Sequence, residues 1–391
     1  MRAVVTSFGS TGDIVPFIAL ARELQQQGHR PVLALSPHLS NLAERCGMEF
    51  FPIGLDLREA QRTINLVDMT GSGDKESIDE RSSLIAQIGS ALPRAIEDLR
   101  IACRDADVLI SGNDQPASRI VHEITGIHFV SVQVEHFGLE PSARQIQMAA
   151  FVYDPFLIEM GLTPLSDRLD KHARSSQLVL FAMSHHICPP PRDWPKHYQI
   201  TGFFFLDDQD VEPAPELVEF LAAGEPPVVI SFGSMVHKDK SAMDQVLLEA
   251  IRLSGYRAII QRGWSGLAER ELPPDVYSAD YVPHSWLFPR AACVVHHGGA
   301  GTLAAAMRAG VPSVIVPHKY DQPLWARDAH TLGYTLPPIP LSNVSADRLG
   351  VAIAMTLATP RFHKAAVKWS EQIKAECGTR KAVRLIEQLV N

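Results

Sequence analysis

Short apolar runs bounded by turn residues recur along the chain. In the first half they fall at Ala3–Phe8, Pro31–Leu35, Asp107–Ser111, His128–Val134 and Leu178–Ala182. In the second half they fall at Pro227–Phe232, Arg257–Gln261, Cys293–His296 and Ser313–Pro317. Each is nearly apolar on both faces, as expected of a buried strand in a parallel sheet. Between them lie helical stripes. Ile14, Phe17, Ile18, Ala21 and Leu24 repeat at helical spacing and stop at Gly28; Ser241–Leu253 and Gly301–Arg308 behave alike. Strand–helix alternation predicts a doubly wound α/β fold.

The alternation occurs twice. Between Phe205 and Pro227 it is interrupted by proline and acidic residues, which predicts an inter-domain linker. Asp207, Asp208 and Asp210 read there as solvated charge, not as a metal cluster. Leu57–Leu92 lacks strand character and holds a glycine-rich polar break, so a loop between helices is expected, bordering the substrate or simply on the surface. From Ser345 onward the chain reads as helices, the last of them packing back on the first domain.

Composition narrows the class. The chain has 391 residues, 46% hydrophobic and 20% charged, enough for two ordinary cores. A net charge of -8 disfavours a nucleic-acid partner. Cys46, Cys103, Cys188, Cys293 and Cys377 form no Cys-x-x-Cys pair, which fits a reducing cytoplasm without structural zinc. No apolar run reaches the ~18–20 residues that span a bilayer, and Met1-Arg2-Ala3-Val4-Val5 enters a strand at once, unlike a signal peptide. Peripheral membrane contact is left open, as is the choice between monomer and homodimer.

Four segments carry chemistry. Val294–Thr302 reads VVHHGGAGT: a strand, histidines, a small-residue turn and a helix start. Backbone N–H groups and a helix N-terminus converging there favour a phosphate. Asp321-Gln322, downstream, suits sugar hydroxyls. In the second segment, the strand Ala3–Phe8 ends in Gly9-Ser10-Thr11-Gly12, with Asp13 at the helix start. Asp13 is a cap or first-turn stabiliser on one reading and a general base on the other; the glycines do not decide, because Gly-x-x-Gly is no dinucleotide fingerprint. In the third, Gly233-Ser234 closes a strand as a plain turn or as a diphosphate contact. In the fourth, Tyr281 and Trp286 offer faces for a base whose edge the Val282 backbone could bond; Trp286 is equally a core residue. Asp114 and His136 follow strands on the acceptor side, as rim residues or proton carriers. His185-His186 beside Cys188 lacks the further ligands a zinc site needs.

The segment YVPHSWLFPRAACVVHHGGAGT and its continuation RAGVPSVIVPHKYDQPLWARDAHTLG resemble the donor-binding signature of family-1 type nucleotide-sugar glycosyltransferases of the GT-B fold. The segment GSTGDIVPFIALARELQQQGH is similar to the same family, in its antibiotic and sterol branches. The resemblance is specific in Ala292–Gly333 and Gly9–Gly28 and vague between Leu57 and Phe205. It implies two Rossmann-like domains facing across a cleft, with 1–207 binding acceptor, 208–226 linking, 227–370 binding the sugar nucleotide and 371–391 returning to the first domain. It further implies that His296 contacts the diphosphate and that Gly298, Ala300, Gly301 and Thr302 line the phosphates. Gly233 and Ser234 would close over them, with Ser10, Gly12 and His284 also on the donor side. Val282 would bond the base, Tyr281 would stack on it, and Asp321 and Gln322 would hold the sugar.

By the same resemblance Asp13 would be the base, in a segment where many relatives carry histidine and the antibiotic and sterol branches carry the Gly-Asp pair. The implied activity is inverting transfer from a UDP- or TDP-sugar to a small hydroxylated, hydrophobic natural product. No cofactor beyond the sugar nucleotide is implied. No Asp-x-Asp motif closes a predicted strand, so no metal is expected. Alternatives are transfer to a sterol or lipid, and a non-catalytic homologue acting as a partner protein. A nicotinamide-dependent dehydrogenase would need the Gly-x-Gly-x-x-Gly fingerprint that the N-terminus lacks.

Overall fold

The computed structural model describes residues 1–9, 11–56, 66–67, 75–112, 115–136, 150, 153–164, 174–207, 212–264, 266–268 and 271–391. Strands β1 (Arg2–Thr6), β2 (Arg30–Leu35), β3 (Glu49–Pro52), β4 (Leu66–Val67), β5 (Val108–Gly112), β6 (His128–Gln133), β7 (Leu178–Phe181) and β8 (Tyr198–Ile200) belong to the first half of the chain. The second half contributes β9 (Val228–Ser231), β10 (Val236–His237), β11 (Ala258–Gln261), β12 (Val276–Ala279), β13 (Cys293–His296) and β14 (Ser313–Ile315). They build a seven-stranded sheet in the order β3-β2-β1-β5-β6-β7-β8 and a five-stranded sheet in the order β12-β11-β9-β13-β14, while β4 and β10 pair with each other across the two halves. Both large sheets are parallel throughout.

Period-two alternation splits each strand between two apolar faces. In β1, Ala3 and Val5 pack with Phe17 and Leu24 of the helix Thr11–Gln26, while Val4 packs on the other side with Ile96 and Ile120. In β9, Val228 and Ile230 join Leu247 and Ile353, while Val229 joins Leu217 and Leu287. Helices therefore cover both faces of both sheets, the doubly wound arrangement expected. A further cluster combines Val179 and Phe181 of the first sheet with Leu303, Ile315 and Trp325 of the second half, so the two halves share apolar core. The helix Gly378–Val390 returns Ala382, Val383 and Ile386 to the cluster under β1.

Three differences from the sequence reading have physical reasons. β3, β8 and β12 lie at sheet edges, where strands need not be apolar on both faces; β3 and β12 are only half-buried in places, so no continuous apolar run marks them. The loop expected over Leu57–Leu92 includes β4 and the start of a long helix, Lys75–Ala102. Its described buried stripe, Leu92, Ile96 and Leu99, lies beyond that polar stretch or at its end. Within the expected linker, Pro215–Ala222 is a helix that buries Leu217 against the second sheet. Asp208 and Asp210 lie outside the described residues.

In each sheet the strand order reverses next to the first strand of its half, between β1 and β5 and between β9 and β13. A parallel α/β sheet opens a crevice at that point, beyond the strand carboxyl ends. The loops leaving β1, β9 and β13 are the ones that carry the segments singled out above.

Candidate active site

The two crevices open into a shared cleft of about 2450 Å³. A single-ligand pocket is typically ~300–1,000 Å³, so a donor and an acceptor fit together. Asp13, in the first turn of the helix Thr11–Gln26, lines it from the first domain with Gly12 beside it. The Ser7 hydroxyl donates to the Asp13 carbonyl at 3.2 Å and ties the helix start to the end of β1. Ser10 and Asp114 lie outside the described residues.

On the opposite wall, the helix Ala300–Ala309 begins at Gly299 with no side-chain cap. Its first intrahelical bond runs from the Leu303 N–H to the Gly299 carbonyl. The N–H groups of Ala300, Gly301 and Thr302 are thus available at the cleft, with the positive end of the helix dipole behind them. Gly233 and Ser234, from the loop after β9, line the same wall.

Of the two adjacent histidines, His297 and not His296 lines the cleft. His296 ends β13 fully buried and does not line the cleft. Its Nδ1 accepts the Gly298 N–H at 3.1 Å, so the ring braces the turn and stays neutral, its pKa held well below the usual histidine range by burial. His297, one step beyond the strand, faces the cleft. A Cβ on Gly299 would come within 2.5 Å of His297 Nε2, so the glycine there makes room for the imidazole. Gly298 holds a φ of +85°, and a Cβ on it would meet Ile315 Cγ2 at 2.9 Å. It therefore shapes the turn from beneath and does not line the cleft. Burial pushes His237, His284 and His297 down to about 4, with a neighbouring ring adding to it at His284 and His297, leaving neutral rings at pH 7.

Tyr281 is 71% exposed and lines the cleft, as does His284, stacked on Phe288 at 4.2 Å. Val282 is buried behind them, and its carbonyl already accepts from Gln261 Nε2 at 2.8 Å. Trp286 packs toward the second-domain core under the Arg290 guanidinium and is not a cleft residue. Sequence reasoning missed Gln261 and Trp264. Both line the cleft, and the Trp264 N–H donates to the Gly233 carbonyl at 3.1 Å. Gln261 ends a predicted strand, which was its available signal.

Asp321 and Gln322 also line the cleft, yet part of their polar capacity is used internally. Gln322 Oε1 accepts the N–H groups of His318 and Lys319 at 2.9 and 3.1 Å. Asp321 Oδ2 accepts Trp325 Nε1–H at 2.7 Å and the His136 N–H at 2.9 Å. Burial raises the Asp321 pKa, and these two donors pull against that. His136 is consequently no cleft-lining acceptor contact: it is 3% exposed, wedged between the domains.

Among the described residues, two groups have the ligand spacing for a metal: His136, Cys188 and Asp328, and His185, His186 and Glu376. In the first, Asp328 is taken by His136 and Arg327, and burial pushes the Cys188 thiol far up. Neither group lines the cleft.

Comparison with known proteins agrees with this fold. Residues 3–135 match the glycosyltransferase family 28 N-terminal domain, and residues 258–389 match the erythromycin biosynthesis protein CIII-like C-terminal domain. The chain is 30% identical to O-mycaminosyltylonolide 6-deoxyallosyltransferase of Streptomyces fradiae, over 99% of this chain and 97% of that one. It is 31% identical to a sterol 3-beta-glucosyltransferase of Arabidopsis thaliana over 98% of its own length, but spans only 65% of that relative. The solved glycotransferase of kitacinnamycin superposes with a TM-score of 0.78 at 21% identity, covering 100% of this chain and 99% of the other. By sequence and fold together, the chain belongs to the GT-B glycosyltransferases of the family-1 type.

Proposed function

We propose that this protein transfers a sugar from a UDP- or TDP-sugar to a hydroxyl of a small hydrophobic acceptor, inverting the anomeric carbon without a metal. One observation carries the reading: Asp13, from the crevice of one sheet, and His297 with Gly299–Thr302, from the crevice of the other, line the same cleft. Asp13 accepts the proton of the acceptor hydroxyl. The oxygen attacks the anomeric carbon, and the nucleoside diphosphate leaves from the opposite face. Charge growing on the leaving group meets the N–H groups of Ala300, Gly301 and Thr302, already oriented before reaction. His297 and Ser234 flank that position, Tyr281 and Trp264 supply faces for the base, and Asp321 and Gln322 sit toward the sugar. On the first-domain side, Phe8, Leu39, Ile53 and Leu92 give the cleft an apolar wall suited to a hydrophobic acceptor.

The Arabidopsis relative favours a sterol as a second acceptor class, and the Streptomyces relative favours a macrolide-like one. A thermal-shift panel of UDP- and TDP-sugars selects the donor, since ligand at 100 times Kd adds about 2.7 kcal/mol. The selected donor is then offered polyketide, polyphenol and sterol acceptors, and the product anomer is read by NMR. No stabilisation by any sugar nucleotide would overturn the reading; a retained anomeric configuration would overturn the single displacement.

A further inference from the structure

We infer that His136, a first-domain residue, is a positioning residue for the sugar-binding carboxylate of Asp321 in the second domain. The inference rests on the proposed donor role of Asp321. Asp321, Trp325 and Asp328 fall on one face of the helix Gln322–Thr331, at the cap and at successive turns. His136 spans that face. Its backbone N–H donates to Asp321 Oδ2 at 2.9 Å. Its ring meets the Trp325 indole edge-on at 4.8 Å. Its Nε2 pairs with Asp328 Oδ2 at 2.9 Å.

The consequence concerns one oxygen. Oδ2 of Asp321 holds two donors, one from its own helix and one from the opposite domain, which fixes the orientation in which the carboxylate can meet a sugar hydroxyl. Asp321 does not cap its own helix through its side chain, and Tyr320 before it takes a φ of +57°. Such strain in a non-glycine residue persists when surrounding contacts enforce it. The carboxylate is thus turned toward the domain boundary, and its aim depends on the end of β6 staying docked. The grip on the sugar is thereby tied to the closed arrangement of the two domains through His136, while the N–H groups of Ala300, Gly301 and Thr302 and the ring of Tyr281 stand on second-domain elements, and only the Ser234 loop runs into a strand, β10, that pairs with β4 of the first half.

The test separates sugar from nucleotide. UDP, TDP, UDP-glucose and TDP-glucose are titrated by calorimetry into wild type, His136→Ala and His136→Gln. His136→Ala keeps the backbone N–H on Asp321 but removes the ring that docks this segment on Trp325 and Asp328; for the base that binds, it should weaken the sugar nucleotide about tenfold, the size of the lost hydrogen bond to the Asp328 carboxylate, and the nucleoside diphosphate less than about twofold. His136→Gln, whose amide still reaches Asp328, should recover most of the loss. Equal weakening of both ligands, or of neither, overturns the inference and leaves the functional reading standing. Failure of the wild type to bind any of the four overturns the functional reading itself. If His136→Ala does not fold, Asp328→Asn, on a partly exposed side chain, should show the same split at about threefold, and an equal effect on both ligands there overturns the inference.

Discussion

Acidification should unfold this protein through the rings beside its donor wall. His237 and His297 are 4% and 8% exposed, and burial lowers each from the ordinary 6.5 to about 4. The folded-state pKa is depressed, so between pH 6.5 and 4 the unfolded chain binds protons that the folded one refuses. Stability is full above 6.5, falls as pH drops through that window, and levels off below 4. At pH 5 the difference is about 2 kcal/mol per ring, at about 1.36 kcal/mol for each pH unit below 6.5. Two rings together give about 4 kcal/mol, a large share of the ~5–15 kcal/mol that holds a domain. At roughly 2–4 °C per kcal/mol for domains of this size, these two rings should take about 8–16 °C off Tm between pH 7.5 and 5. Ordinary carboxylates remain mostly ionised over that range. Melting curves followed by circular dichroism at constant ionic strength would measure the drop in wild type, His237→Gln and His297→Gln. Each variant should lose about 4–8 °C of it, the buried rings of His284, His296 and His318 keeping the rest. Variants whose Tm falls as steeply as wild type would refute the assignment of these rings as buried and neutral.

Asp13→Asn should lower turnover about 10²–10⁴-fold with donor affinity within about twofold of wild type; near-normal turnover would remove Asp13 as the base. Gly298→Ala forces a side chain into a φ of +85° and against Ile315, and should cost about 1–3 kcal/mol in urea unfolding. Trp325→Ala empties a fully buried site in the core shared by both domains, with an expected loss of about 3–5 kcal/mol by the same measurement. Turnover should survive EDTA unchanged; activity lost to chelation and restored by Mg²⁺ or Mn²⁺ would contradict the metal-free mechanism.

The two sheets were legible in the sequence because their central strands, such as β1, β9 and β13, are apolar on both faces and have no competing pattern. The switch-point loops were legible too, since glycines and small residues mark where backbone must turn sharply. Edge strands β3 and β12 were not, because partial exposure erases the apolar run. The choice between His296 and His297 depended on where β13 stops alternating, a matter of one residue. No local pattern contains that: His296 pairs through its backbone with both β9 and β14, and the ring falls into the packed interior. His136 shows the same limit more sharply. Its place after a strand marked it as an acceptor residue, yet its partners Asp321, Trp325 and Asp328 lie in the other half of the chain. Sequence alone determined the fold class and the chemistry at hand, through hydrophobic periodicity and short motifs that act within a few residues. Tertiary structure decided which of those groups face the cleft and which hold the domains together, because burial and hydrogen-bond partners are set by segments far apart in sequence.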